Sequence, residues 1–340
     1  MKFKNTLCPY SQVALKRCAN VNQEHILGSA LGGPDGLVIR CEEAHNQRLN
    51  VELDVPAMRM EMLQLLAVAS GVVSRSGKDN VTLAGSLPNG DPAKVTLSPN
   101  GARFTATKPV DIDPTTGLVR GVTGFGNEAQ HRAEEVIARY RSKGLHLQAS
   151  EPQTLPSVVK VSATLDGNLL LRLMCRTAYL MTVATLGDVA IISDSGEQYL
   201  RAINTKGMTR DTLTDNFIGA IQAEPSQHPL TFENPYAGGH TLACLATHDS
   251  LLSHVVLFGV FYATFITRNP SGYGGDSRVF FINPASRDYK ASDFVKEANA
   301  GRITSLVKPT GSMPFCVELD NLKDTDAPIH QPAAMLVAAD

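Results

Sequence analysis

The sequence lacks several features that would assign it to a class at once. Within its 340 residues, no run approaches the ~18 consecutive apolar positions of a membrane-spanning helix. The best candidate, residues 255–266, is short and aromatic and indicates a buried strand. The first ten residues, MKFKNTLCPY, lack the apolar core of a signal peptide. These absences predict a cytoplasmic protein that does not enter a membrane.

Charge and cysteine content identify no partner by themselves. The chain has 31 basic and 33 acidic residues, so its net charge of -2 supplies no overall basic face for nucleic acid. The six cysteines form no intact Cys-x-x-Cys pair, and in a cytoplasmic protein free thiols are expected. They lie at positions 8, 18, 41, 175, 244 and 316. Residues 1–20, by contrast, contain four cations and no acid; such an arm could follow phosphates, although a solvated terminus is the commoner meaning.

The remaining composition and patterning predict an α+β protein. Hydrophobic residues make up 43% and charged residues 19%, which is ample for a buried core. We expect three segments: a small module at 1–60, a connecting helix with an antiparallel β segment at 61–150, and a larger mixed domain at 151–340. The linker-like sequence ASEPQTLPS, residues 149–157, marks the main predicted boundary.

Hydrophobic periodicity and turn residues predict the individual elements. Residues 240–254 have a helical or mixed pattern, and the tail beyond Asp324 is expected to be loose. Helices are predicted at 42–53, where Pro56 prevents continuation, and at 55–73, 127–142, 169–186 and 195–204. Strands are predicted at 37–40, 94–97, 103–107, 255–266 and 278–282.

The first fifty residues contain the parts of a phosphodiester-cleaving site in a suitable order. Such chemistry needs an activated water, a cation at the leaving oxygen and a group that orients the base. One compact solution is a strand ending in acid-His, a loop, a second strand, and a helix whose first turn supplies another ligand. Here Glu24-His25 is followed by a Gly-rich loop, the strand at 37–40, and His45 on the predicted helix. Histidine suits the role of general base because its pKa lies near neutrality.

These residues resemble a known family. EHILGSALGG (24–33) and IRCEEAHNQRLNVELD (39–54) are similar to HNH endonucleases with a ββα-metal site, in the branch that has an acid-His-Ile start and a Leu-Gly-Gly loop. The resemblance implies that His25 is the general base, that Glu24 and His45 bind a divalent metal, and that Asn46 assists. It also implies Mg²⁺ as the usual ion, with Mn²⁺, Ni²⁺ or Zn²⁺ as alternatives, and DNA as the partner.

The chain departs from that family at its structural zinc site and at one further position. Members of the branch usually carry two Cys-x-x-Cys pairs, but here the pairs end in Ser11 and Ala44, which leaves Cys8 and Cys41. Cys18 could replace one ligand, but no fourth is evident, so no structural zinc is predicted. The family's middle asparagine, which orients the base, is replaced by Asp35-Gly36.

Two functions therefore remain open. The first is a metal-dependent DNA endonuclease, in which the local cations Lys16, Arg17, Arg40 and Arg48 contact phosphates. Restriction, phage defence and mobile-element roles are all typical of such nucleases, and the sequence does not choose among them. The second is a catalytically inert relative that binds nucleic acid or a partner, with the larger domain serving in substrate positioning, sensing or homo-oligomerisation. Metal held jointly by Glu24 and His45 would discriminate between them.

Two further motifs have more ordinary explanations. His240, Cys244 and His248 are spaced four apart and would share a helical face, but a core cysteine flanked by histidines is favoured over a metal site. Residues 124–129, Gly-x-Gly-x-x-Ala, match the dinucleotide-binding pattern, although a hairpin-to-helix turn is the better explanation.

Overall fold

The computed structural model describes residues 5–73, 80–87, 90–108, 110–117, 119–123, 125–144, 158–205, 231–246, 248, 250–269, 277–304, 316–318 and 333–338. The chain combines helices with antiparallel sheets, so the predicted α+β class is confirmed. It divides into two compact units, one of residues 1–79 and 165–313, the other of residues 80–164 and 314–340. This division cuts across the three predicted segments because strands from the C-terminal end pair with a strand before residue 164. The predicted boundary at 149–157 lies outside the described residues.

After an N-terminal segment with a 3-10 turn at Leu15–Arg17, the first unit has two paired strands and a helical stretch. Pro56 lies in the first turn of the second helix, where proline is tolerated, so the helical stretch continues past it. A π-helical turn at Asn50–Asp54 joins the first two helices, and Met60, with an extended backbone, separates the second from the third. The elements are β1 (Val21–His25), β2 (Val38–Glu42), α1 (Glu43–Leu49), α2 (Val55–Met58) and α3 (Glu61–Ala69).

The remainder of this unit is built on a long helix, α5 (Gly167–Leu186), which confirms the helix predicted from the apolar run. Asp166 caps its start by accepting a hydrogen bond from Leu169 N at 2.9 Å, and Gly187 ends it with φ of +65°. With 20 residues and a mean hydropathy of 1.4 over its most apolar 18-residue window, it is long and apolar enough to cross a membrane by length and composition, although Arg172 and Arg176 interrupt its apolar run. However, 78% of that apolar window is buried within the protein, as in the core helices of globular proteins.

A five-stranded antiparallel sheet packs against α5, in the order β12-β11-β10-β13-β14. Stacked Tyr179 and Tyr199, with ring centroids 5.5 Å apart, join α5 to the neighbouring helix α7. After α5 the elements are α6 (Asp188–Ile191), α7 (Asp194–Asn204), β9 (Thr231–Phe232), β10 (His240–Ala246), β11 (Ser250–Leu257), β12 (Phe261–Arg268), β13 (Ser277–Ile282), β14 (Tyr289–Ser292), α8 (Phe294–Asn299) and β15 (Ile303–Thr304).

Two predictions in this region need correction. Residues 255–266 are not one strand but most of a hairpin, turned at Phe258 and Gly259, which both have positive φ. Residues 240–246 and 250–254, predicted to be helical or mixed, are strands. His240 and Cys244 therefore lie buried along β10 and do not share a helical face with His248, in line with the favoured explanation of a core cysteine. A run that is apolar throughout has no period, which is why pattern alone could not separate these cases.

In its described residues, the second unit has a six-stranded antiparallel sheet, in the order β16-β17-β8-β3-β4-β5, with a separate strand pair and a helix. The hairpin and helix predictions in this region are confirmed, but part of the tail that was expected to be loose forms β17. Its antiparallel pair β6–β7 precedes α4, which excludes the parallel βαβ unit of a dinucleotide fold there. The elements are β3 (Val81–Ser86), β4 (Pro92–Ser98), β5 (Gly101–Ala106), β6 (Val110–Ile112), β7 (Val119–Val122), α4 (Gly126–Arg141), β8 (Val158–Ala163), β16 (Cys316–Glu318) and β17 (Ala333–Ala338).

Candidate functional site

The order strand, loop, strand, helix places the predicted site residues on neighbouring elements. Glu24 and His25 are the last two residues of β1, which pairs antiparallel with β2, and α1 follows β2 directly. The side-chain amide of Asn46 donates hydrogen bonds to Asn22 Oδ1 at 3.1 Å and to the Gln23 carbonyl at 3.3 Å. The amide of Asn46 therefore holds α1 against β1, which is a positioning role.

The carboxylate of Glu24 lies in the core of the first unit rather than at its surface. Glu24 is 1% exposed and forms an ion pair with Arg176 of α5. The hydroxyl of Tyr10 donates to its Oε1 at 3.1 Å, and the thiol of Cys41 lies 3.9 Å from its Oε2. Both carboxylate oxygens thus have protein neighbours, and the nearest charge is a guanidinium.

The guanidinium of Arg176 is fully engaged. Its Nη2 pairs with Glu24, its Nη1 contacts Asp54 Oδ1 at 2.6 Å, and its Nε donates to the Tyr10 hydroxyl at 3.2 Å. Arg176 is 3% exposed, so this is a buried network that joins the N-terminal segment, the π-helical turn and α5. Each nitrogen of the guanidinium has a partner, as a buried arginine requires.

Burial also sets the protonation of the groups around Arg176. Burial raises the pKa of the Asp54 carboxyl to about 7, and one guanidinium has to balance both Asp54 and Glu24. Burial raises the pKa of the Tyr10 phenol above its ordinary value, against the opposing effect of the Arg176 charge. Tyr10 is therefore a neutral hydroxyl that accepts from Arg176 and donates to Glu24.

The two predicted site histidines lie apart from this network. His45 is about one-third exposed, and its Nε2 lies 3.5 Å from Glu42 Oε2; its ring centroid is 6.5 Å from that of Tyr10. His25 is half-buried, and its Nδ1 is enclosed without a hydrogen-bond partner among the described residues. An enclosed, unsatisfied ring nitrogen is unusual in a folded protein, which keeps His25 a candidate for a chemical role.

The implied metal can be tested against this arrangement. A carboxylate and imidazoles are suitable ligands for Mg²⁺, Mn²⁺ or Zn²⁺ by their chemistry. Here, however, Glu24 already has Arg176 as its counter-ion, and His45 faces Glu42. In the part of the chain that the structure describes, no three His, Cys, Asp or Glu side chains converge on one point. As arranged, Glu24 and His45, the two ligands that the resemblance implies, each have another partner and do not fit a shared metal ion.

Cys8 and Cys41, which the resemblance relates to a zinc site, and the nearby Cys18 are free thiols. Cys8 and Cys41 are fully buried and Cys18 is partly buried. Burial, with smaller contributions from the neighbouring Cys8 and Cys18, raises the pKa of the Cys41 thiol to about 12. Ser11 has an enclosed hydroxyl without a partner among the described residues, and Ala44 lines a cavity of about 250 Å³.

The predicted DNA-contacting cations fall into two groups. Lys16, Arg17 and Arg40 are exposed, and none forms an ion pair with another described residue. The turn that carries Lys16 and Arg17 packs against β2, the strand of Arg40. Arg48 differs, because its guanidinium donates to Asn204 Oδ1 at 2.8 Å and lies 3.7 Å from Glu52.

The Leu-Gly-Gly loop is packed against the large sheet. His240 Nε2 lies 2.8 Å from the Leu31 carbonyl, and its Nδ1 accepts the Phe258 N–H at 3.0 Å. Burial lowers the pKa of His240 to about 4, so the ring is neutral and its Nε2 carries the proton. Gly32 has φ of +83°, and a side chain there would meet the backbone of Pro284 at 2.5 Å. This loop is thus a structural contact within the first unit.

Sequence reasoning missed Arg176, Tyr10, Asp54 and the structural role of His240. A signal for the first was present, because LLLRLMCRTAYL places Arg172 and Arg176 four residues apart in an otherwise apolar helix. Charges on a buried helix need partners. Nη2 of Arg172 donates a hydrogen bond to the Ile203 carbonyl at 2.7 Å, and Arg176 forms an ion pair with Glu24.

Comparison of this chain with protein-family models, with curated proteins and with solved structures gives no match. Its function is consequently inferred from the resemblance of residues 24–54 and from the geometry above.

Proposed function

We propose that this chain acts on DNA through its N-terminal ββα module, formed by β1, β2 and α1. The observation that carries the proposal is a set of exposed cations that form no ion pair with another described residue: Arg40 on β2, and Lys16 and Arg17 on the turn that packs against β2. Such side chains contribute the phosphate contacts that dominate affinity for DNA. The overall charge of -2 does not oppose this, because the contact needs only a local basic surface.

The environment of Glu24 supports DNA binding without metal-dependent cleavage. The carboxylate that the resemblance assigns to a metal ion is buried and paired with Arg176. In this form the module is an inert relative of the HNH endonucleases, and the exposed cations supply the binding.

An HNH-type endonuclease is the second candidate, and the specific observation in its favour is His25. Its Nδ1 has no partner among the described residues, which is the condition of a ring nitrogen free to accept a proton from water. In a cleaving enzyme His25 would be the general base, and Asn46 would hold α1 in position against β1.

DNA binding is tested by fluorescence anisotropy with a labelled duplex at several salt concentrations. We expect alanine at Lys16, Arg17 and Arg40 together to weaken binding and to reduce the salt slope by roughly one for each phosphate that is no longer neutralised. Arg48→Ala is the matched control, because its guanidinium is already bonded within the protein. Equal binding by wild type and triple variant would contradict the proposal.

Cleavage is tested by incubating supercoiled plasmid with the full chain in EDTA, Mg²⁺ or Mn²⁺. The inert form predicts no nicking above a mock preparation in any of these. Metal-dependent nicking that His25→Ala abolishes, and that the exposed control His131→Ala retains, would establish the endonuclease instead. Nicking that persists in His25→Ala would indicate a contaminant or another site.

A further inference from the structure

We infer that Arg176 takes, at Glu24, the charge-balancing place that the HNH resemblance gives to a divalent metal. The inference concerns the chain's own residues and does not depend on whether the module binds DNA. It starts from a physical requirement: an ionised carboxylate that is 1% exposed needs a positive partner inside the protein. Arg176 is that partner.

The partnership is built in rather than incidental. Arg176 projects from α5, the core helix, and its three nitrogens contact Glu24, Asp54 and Tyr10 respectively. A surface arginine that contacted Glu24 by chance would leave part of its guanidinium exposed to water. Here every nitrogen is satisfied and the side chain is 3% exposed.

A guanidinium and a metal ion compete for the same carboxylate. An arginine side chain is always positively charged in proteins, and Nη2 of Arg176 contacts Oε1 of Glu24. The other oxygen, Oε2, faces the Cys41 thiol, which burial keeps protonated and therefore unlike a metal ligand. The ion pair of Glu24 thus joins the ββα module to α5. The permanent charge of Arg176 stands in place of the charge of a metal ion that would have to bind from solution.

The test is Mn²⁺ binding to the full chain, measured from the electron paramagnetic resonance signal of free Mn²⁺. The inference predicts no saturable binding that depends on Glu24: wild type, Glu24→Gln and the exposed control Glu134→Gln should give the same free-ion signal. EDTA should leave the melting temperature of wild type unchanged. Saturable Mn²⁺ binding that Glu24→Gln removes and Glu134→Gln retains would overturn the inference, as would a melting temperature that falls in EDTA.

A second pair of variants examines Arg176 directly. Arg176→Lys retains the positive charge but loses part of the set of hydrogen-bond donors, whereas Arg176→Met loses the charge and all of the donors. We expect the melting temperature to decrease from wild type to Arg176→Lys and further to Arg176→Met. Equal melting temperatures for the three would show that Glu24 needs no charge from α5. Should Arg176→Met fail to fold, the Glu24→Gln titration still decides. The Mn²⁺ and melting-temperature results do not depend on whether the variants of Lys16, Arg17 and Arg40 bind DNA. Either proposal can therefore be refuted without refuting the other.

Discussion

The coupling between Glu24 and Arg176 can be measured with a double-mutant cycle. Arg176→Met removes the only charge that balances Glu24 in the contacts described, and it also removes partners of Asp54 and Tyr10. Breaking a buried ion pair from one side costs about 3–5 kcal/mol, because an uncompensated charge remains. Glu24→Gln should cost less, about 1–3 kcal/mol, since an amide still accepts hydrogen bonds and Arg176 keeps Asp54.

The double variant should cost less than the sum of the two single variants. With both charges gone, neither is left buried alone, and we expect an interaction energy of about 2 kcal/mol, within the range for residues in contact. The assay is urea unfolding of each variant, followed by far-ultraviolet circular dichroism, with Glu134→Gln as the surface control. Single-variant costs that simply add would refute the buried pair as the source of stability.

Three further predictions concern the first unit. Burial of His240 lowers its pKa from 6.5 to about 4, so the unfolded chain binds a proton first as pH falls. The free energy of unfolding should therefore drop by about 3 kcal/mol between pH 6.5 and pH 4. His240→Asn should reduce this pH dependence, as measured by urea unfolding at each pH. Gly33→Ala would place its Cβ 1.9 Å from the Leu27 carbonyl and should cost about 2–4 kcal/mol of unfolding free energy, measured the same way. Asp188→Ala removes the acceptor of the Thr6 N–H at 2.8 Å, so limited proteolysis should cut the N-terminal segment faster.

Matched controls distinguish these effects from general damage. Gly28→Ala should be nearly neutral, because its Cβ would meet nothing within 4 Å; a cost equal to that of Gly33→Ala would contradict the steric argument. His131→Asn, at an exposed position on α4, should leave the pH profile of stability unchanged. Asp194→Ala should not accelerate proteolysis near Thr6, and a similar acceleration would remove Asp188 from the explanation.

Local elements of this fold could be predicted because their causes are local. The apolar run of α5 stands between a capping Asp166 and Gly187, both visible in the sequence. The hairpin β4–β5 follows from alternating residues on either side of Pro-Asn-Gly. The turn at Phe258 was missed because a buried aromatic residue with positive φ looks like any strand residue in an apolar run.

The candidate site was predictable only in part, for a different reason. The order of strand, loop, strand and helix around Glu24 and His45 is a local property of residues 21–49, and the structure has it. The partner of Glu24 is not local: Arg176 donates to Tyr10 across 166 residues of chain. No spacing rule joins them, because only the tertiary fold brings Arg176 of α5 into contact with Glu24 of β1.

The contact between Leu31 and His240 has a consequence for how such a chain can change. A neutral imidazole bridges the loop before β2 to the turn after β11, while Arg176 fixes the preceding strand to α5. The ββα segment is contiguous in the sequence, but it shares its buried contacts with α5 and with the large sheet. Recombination that copied this segment alone into another gene would carry the histidines and cysteines without the charge and the hydrogen bonds that fold around them. The packing of this segment is therefore tied to the rest of the first unit.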